Sequence, residues 1–203
     1  MTTEAATSRP EGITPSQTVG PFFHYGLTPG TTYANVPASA DSLLAAPGTA
    51  GEHVTLTGRV LDGAGQPVPD AMLEIWQADA EGRYAHDADR RPRASNSFTG
   101  FGRSDTQADG TFSFTTIKPG RVPGPNGTLQ APHVLVAVYG RGMLTHLYTR
   151  FYFEDEAAAN AGDPILALVP AERRHTLIMK RSGNTYSLDI RLQGDDETVF
   201  FAV

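Results

Sequence analysis

At 203 residues, 39% hydrophobic and 19% charged, the chain suits one domain with a sizeable buried core and is neither a disordered chain nor a coiled coil. A net charge of -6 argues against non-specific nucleic-acid binding, which needs cations to displace phosphate counterions. It leaves an anionic substrate open, because a ligand responds to the local field. With no cysteine, disulfides, thiolate nucleophiles, cysteine-held zinc and iron–sulfur clusters are all excluded.

Residues 1–12 are polar and lack the apolar stretch of a secretory signal, so they read as a flexible N-terminus. No run of about 18 uncharged apolar residues occurs, and a soluble cytoplasmic protein is expected. Residues 13–52 carry no strand signal and read as an N-terminal arm, longer than an ordinary loop, of the kind that packs on a partner. Ser42–Ala46 is expected to form at most one helical turn. The domain proper is read as 53–203.

Val54–Leu61 alternates and leads into the turn Asp62–Pro67, and Ala71–Gln77 reads as the next strand, buried around Leu73, Ile75 or Trp76. Trp76 and the Phe and Tyr residues are expected in the core. Asp105–Gly110 is a turn into the strand Thr111–Ile117. It has the start of a calcium loop without the closing glutamate. Asn126-Gly-Thr128 spells a glycosylation site but is more simply a turn. His133–Tyr139 is a continuous apolar run suited to a central strand, and Thr145–Phe153 follows with four aromatics. Glu154–Ala161 and the segment from Pro170 are short helical candidates. Tyr186–Leu192 alternates with Tyr186, Leu188, Ile190 and Leu192 on one face, and Thr198–Phe201 closes the chain. Short strands broken by turns, with Gly 21 and Pro 15, predict an all-β fold, an antiparallel β-sandwich with few short helices.

Several motifs stand in a definite order: Thr14–Phe22, Glu74–Asp79, Gly82-Arg83-Tyr84, Lys118-Pro119-Gly120, Ala131–Leu135 and Glu197–Phe201. From about Thr14 to the C-terminus the chain resembles the intradiol ring-cleaving dioxygenases, which hold a ferric ion with two tyrosines and two histidines. The resemblance places the four ligands at Tyr84, Val122, His133 and Leu135, and a catalytic arginine at Gln130. Tyr84 and His133 are retained, whereas Val122 and Leu135 have no lone pair to give a metal. The resemblance therefore implies a helper subunit that binds no metal, in a hetero-oligomer with a homologous chain carrying Fe(III). The assembly would use O2 to open protocatechuate to 3-carboxy-cis,cis-muconate in aromatic-compound catabolism. Thr18, Gly20 and Pro21 would line the partner's substrate pocket, since glycine permits close backbone approach and proline offers a fixed, donor-free face.

Arg141, between two glycines at a strand end, is suited to gripping a carboxylate, and the resemblance puts it near the mouth of the partner's pocket; the alternative is a solvated hairpin residue or a subunit-interface ion pair. Tyr84 and His133 read on their own as polar side chains with local hydrogen-bond partners. A weak metal site completed by His24, His53, His86, His146 or His175 is the alternative, disfavoured because none shows a close ligand spacing. Two other readings stay open: a purely structural or binding sandwich, and a stand-alone iron enzyme with an unusual ligand set.

Overall fold

The computed structural model describes residues 26–29, 40–93 and 97–202. Most of the arm, with Thr18, Gly20, Pro21 and His24, lies outside them. Two layers of strands face each other. One contains β2 (Met72–Gln77), β3 (Phe101–Asp105), β7 (His133–Tyr139) and β8 (Leu147–Phe153), all antiparallel in the order β3-β2-β7-β8. The other is built on β1 (His53–Leu61), with β4 (Thr111–Ile117) antiparallel on one side and β10 (Thr185–Ser187) and β11 (Ile190–Arg191) parallel on the other. Then β9 (Ile178–Ser182) pairs with β10 and reaches the first layer by a two-residue parallel contact with β8. A small ribbon, β5 (Val122–Pro123) with β6 (Leu129–Gln130), lies at one end. The fold is thus all-β and sandwich-like, mainly antiparallel, with three short parallel pairings.

Alternation explains the layering. Val54, Leu56 and Val60 of β1 and Phe112 and Phe114 of β4 point inward to meet Leu73, Ile75, Val134, Val136, Val138, Phe151 and Phe153. The Phe112 and Phe151 rings stack across the gap with centroids 6.1 Å apart. Each such fully buried side chain stabilises the sandwich by about 1.5–3 kcal/mol.

Most of the expected strands occur. Asp105–Gly110 is a turn, closed by Gly110 N–H donating to Gln107 and Thr111 N–H to the Asp109 carboxylate. Asn126 adopts a left-handed conformation (φ 53°) within the short 3-10 turn Pro125–Gly127, as the turn reading requires. Glu154–Ala161 is a 3-10 turn followed by the short helix α1 (Ala157–Ala161), and Pro170 caps the 3-10 helix Ala171–Leu177.

Three expectations need correction. Ser42–Ala46 is extended rather than helical, because Leu43 bridges to Thr115 and the N–H of Leu44 donates to the Thr115 carbonyl. Tyr186–Leu192 is two short strands, interrupted where Asp189 turns its carboxylate onto the N–H and guanidinium of Arg59. Thr198–Phe201 contributes only a single bridge, Phe201 to Tyr148.

Candidate functional site

The side of β7 and β8 that faces away from the core carries the positions of interest. Strand alternation brings His133 and Leu135, two residues apart, to this one face. Register sets Tyr152 of β8 beside His133, and Leu135 between Trp76 of β2 and Arg150 of β8. Trp76 is half-buried and not in the core, correcting the expectation for it. Its ring stacks on Tyr84, with centroids 5.9 Å apart and planes 7° from parallel.

Two backbone segments bring in the remaining positions. Gly82 has φ +74°, and a Cβ there would lie 1.8 Å from the Arg121 carbonyl oxygen. Only glycine allows the turn bearing Tyr84 to press so closely on the segment bearing Val122. Gly120 N–H donates to the Asp79 carbonyl (2.9 Å) and ties the same two segments. Val122 is buried and pairs with Gln130 across the β5–β6 ribbon. Thus Tyr84, Val122, Gln130, His133 and Leu135 come from neighbouring segments at one end of the sandwich.

Arg141 is elsewhere, in the turn after β7. Its Nε donates to the carboxylate of buried Asp70, while its side chain is 59% exposed. The histidines His53, His86, His146 and His175 do not gather around His133. Among the described residues no group of three or more His, Asp or Glu side chains could hold a metal ion.

The electrostatics of the site centre on a residue that the sequence reading passed over. Arg150 Nη1 donates to Gln130 Oε1 (2.7 Å), and its guanidinium lies over the Phe201 ring at 5.9 Å. Gln130 in turn donates from Nε2 to the Pro123 carbonyl (2.9 Å). The charge of Arg150 is felt by three groups. Burial raises the Tyr84 phenol and Arg150 opposes that rise. The same opposition holds at Tyr152, whose hydroxyl is raised strongly by burial. Burial lowers His133 to about 4, and there Arg150 adds to the effect. A charged residue on the outward face of an otherwise apolar strand was the available signal.

His133 is 3% exposed, and its Nδ1–H donates to the Ala131 carbonyl (2.8 Å). The loop before it is anchored by Asp163. That fully buried carboxylate accepts from the N–H groups of Ala131 (2.7 Å), Ile165 (2.9 Å) and Leu166 (2.7 Å), and from the Tyr152 hydroxyl (3.2 Å). On the other flank, Asp89 accepts from Tyr84 N–H (2.9 Å) and pairs with Arg91 (2.6 Å). The Arg91 hydrogen bond holds the Asp89 carboxyl well below the usual range.

His133 gives the fold a pH dependence of definite sign. Between about 6.5 and about 4 the unfolded chain binds a proton that the folded chain refuses, so stability falls as pH falls through that window. The loss is on the order of 3 kcal/mol. Urea unfolding at about pH 7.5 and about pH 4 checks it. The wild type should lose that much more on acidification than His133→Gln, and equal losses in the two proteins would show that His133 is not the group responsible.

Two cavities flank Trp76. One of about 510 Å³ is lined by Trp76, Tyr84, His86, Ala88, Asp89, Arg91 and Pro123. The other, of about 630 Å³, runs along the outer face and includes Trp76, Phe101, Leu135, Tyr148, Arg150 and Phe201 in its lining.

The fold is also similar to that of a solved dioxygenase domain. That domain comes from a dioxygenase carbohydrate-binding protein fusion of Streptomyces sp. SirexAA-E. It aligns with a TM-score of 0.56 and 26% identity over 77% of this chain and 89% of that one. The Dioxygenase family matches residues 28–194. The chain belongs to the intradiol dioxygenase family. Within it, the chain is 50% identical to the protocatechuate 3,4-dioxygenase alpha chain of Burkholderia cepacia, over 94% of this chain and 97% of that protein. It is 37% identical to the beta chain from the same organism, over 73% of this chain and 67% of that protein.

Proposed function

We propose that this chain is the α subunit of a protocatechuate 3,4-dioxygenase, an (αβ)n hetero-oligomer in which a homologous β chain holds the Fe(III). The observation that carries the reading is a site whose scaffold is kept while its donors are not. Tyr84 and His133 are donors on neighbouring segments, and the positions that the resemblance gives to the other two ligands carry the hydrocarbon side chains of Val122 and Leu135. The donor set does not fit a ferric ion: two lone-pair donors are too few, and a guanidinium beside Leu135 repels a cation. The higher and more extensive identity to an α chain than to a β chain supports the same assignment.

In the assembled enzyme the partner's Fe(III) would supply a centre that the two catechol oxygens can chelate, for intradiol opening of protocatechuate with O2 to 3-carboxy-cis,cis-muconate, a step of the β-ketoadipate pathway. This chain's part is to shape the substrate space. Thr18, Gly20 and Pro21, from the arm 13–52, line the partner's pocket, and 53–203 is the sandwich. Arg141, exposed and braced by Asp70, steadies the substrate carboxylate.

Co-expression with the β-type chain tests the proposal, with iron content and protocatechuate-dependent oxygen uptake compared with those of the separate chains. Joint elution with about one iron per pair is expected, together with loss of turnover when this chain is omitted or when Thr14–Pro21 is deleted. Unchanged turnover in the deletion would favour a purely structural subunit, and iron with turnover in this chain alone would overturn the assignment.

A further inference from the structure

We propose that Arg150 and the apolar cavity beside it form a binding site, in this chain itself, for a small aromatic carboxylate. Charge matching is the first ground. Arg59, Arg91, Arg103 and Arg181 each meet a carboxylate. Arg150 is half-buried, yet among the described residues it forms no ion pair, and its contacts are the Gln130 amide oxygen, the Tyr152 hydroxyl and the Phe201 ring. The carboxylate that shares its cavity, Glu74, is committed to Arg103 (2.5 Å) and accepts from the Tyr139 hydroxyl (3.3 Å). A guanidinium among apolar walls without a countercharge is unfavourable, and its planar fork matches a carboxylate in two parallel hydrogen bonds.

The walls select the rest of the ligand. Trp76, Tyr148 and Phe201 supply aromatic surface, and Leu135 supplies the hydrocarbon between Trp76 and Arg150. A planar ring is the shape that gains most from such surroundings. The cavity, at about 630 Å³, is of ordinary size for a small-molecule site. Gln130 holds Arg150 from the flank and is itself fixed on Pro123, so the guanidinium is positioned before any ligand arrives. The site depends on residues of this chain alone and stands whether or not the partner assignment holds.

The probe is 4-fluorobenzoate, followed by fluorine NMR against the purified full chain in a chloride buffer free of sulfate. Saturable one-to-one binding with a Kd of about 1 mM or tighter is expected for so small a ligand. Arg150→Met should weaken it at least tenfold. Arg150→Lys, which keeps the charge and loses the fork, should fall between. Leu135→Trp fills the cavity and leaves Arg150 in place. It should also abolish binding, and it keeps the test decisive if the Met variant fails to fold. The neutral isostere 4-fluorobenzamide should not bind. Absence of saturation below about 10 mM, equal binding by Arg150→Met or Leu135→Trp, or equal binding of the amide would each overturn the proposal.

Discussion

Asp163→Ala is expected to destabilise the chain by roughly 3–5 kcal/mol, the largest single-residue effect anticipated here. The carboxylate is fully buried and is the acceptor for three backbone N–H groups and one hydroxyl. Alanine would leave those donors buried with nothing to receive them, and each orphan costs about 1–3 kcal/mol unless water enters. The damage would be placed where it matters for the site. Ala131 N–H is one of the donors, and the Ala131 carbonyl holds the ring of His133. Against a total stability of about 5–15 kcal/mol, the variant should be marginal at body temperature. Asp163→Asn keeps the shape and one acceptor oxygen, so it should lose about half as much. Urea unfolding with the slope held constant reads both values. An alanine variant within about 1 kcal/mol of wild type would show that Asp163 does not hold this end of the sandwich together.

Restoring the missing donors should not by itself restore a metal centre. Val122→Tyr with Leu135→His gives the site two tyrosines and two histidines, yet the double variant is expected to purify essentially free of iron. The reason is Arg150, the direct cross-strand neighbour of Leu135. Cross-strand neighbours lie about 5 Å apart. A unit charge at that range opposes a trivalent ion by several kcal/mol even at an effective dielectric constant of about 20. Adding Arg150→Gln removes the repulsion, and iron content should rise by at least tenfold, with the visible absorption of tyrosinate bound to ferric iron. Stoichiometric iron in the double variant would refute electrostatic exclusion. A triple variant no richer in iron than the double would show that the guanidinium is not the obstacle.

What could be read from the sequence follows from which physical signals a strand carries. His133–Tyr139 was legible to the residue, because it packs on the core with one face and lines the outer cavity with the other, and so is largely apolar on both. Phe101–Asp105 was not legible. It is the outer strand of its layer, paired with β2 alone, and Phe-Gly-Arg-Ser-Asp has neither alternation nor bulk. Ile178–Ser182 was missed for a similar reason, three of its five residues being exposed. Trp76 was misread because large aromatics on alternating strands usually face the core. Here the opposite face is a cavity wall, which is equally hospitable to a ring. The resemblance located Tyr84, Val122, Gln130, His133 and Leu135. It could not supply Arg150, because no ligand motif includes that position and its meaning depends on β7–β8 register. For Arg141 the sequence left open whether the residue is paired. The structure supplies Asp70, 71 residues away in sequence and adjacent in space.

The parallel pairing of β1 with β10 and β11 also bears on how the chain is made. Thr55 lies opposite Thr185, and Val60 opposite Ile190. Emerging from a ribosome, β1 meets β4 only after more than fifty further residues, and the strands that pair its other edge lie about 130 residues further on. During that interval it presents unpaired amides to the surroundings, the kind of edge that recruits foreign strands. Long sequence separations also slow folding, because chain entropy must be lost before the contacts form. The segment Thr185–Arg191 therefore acts as a clasp. A message truncated before codon 185 would yield a protein with most of its hydrophobic interior but an open seam, inclined to aggregate rather than merely to lack a tail.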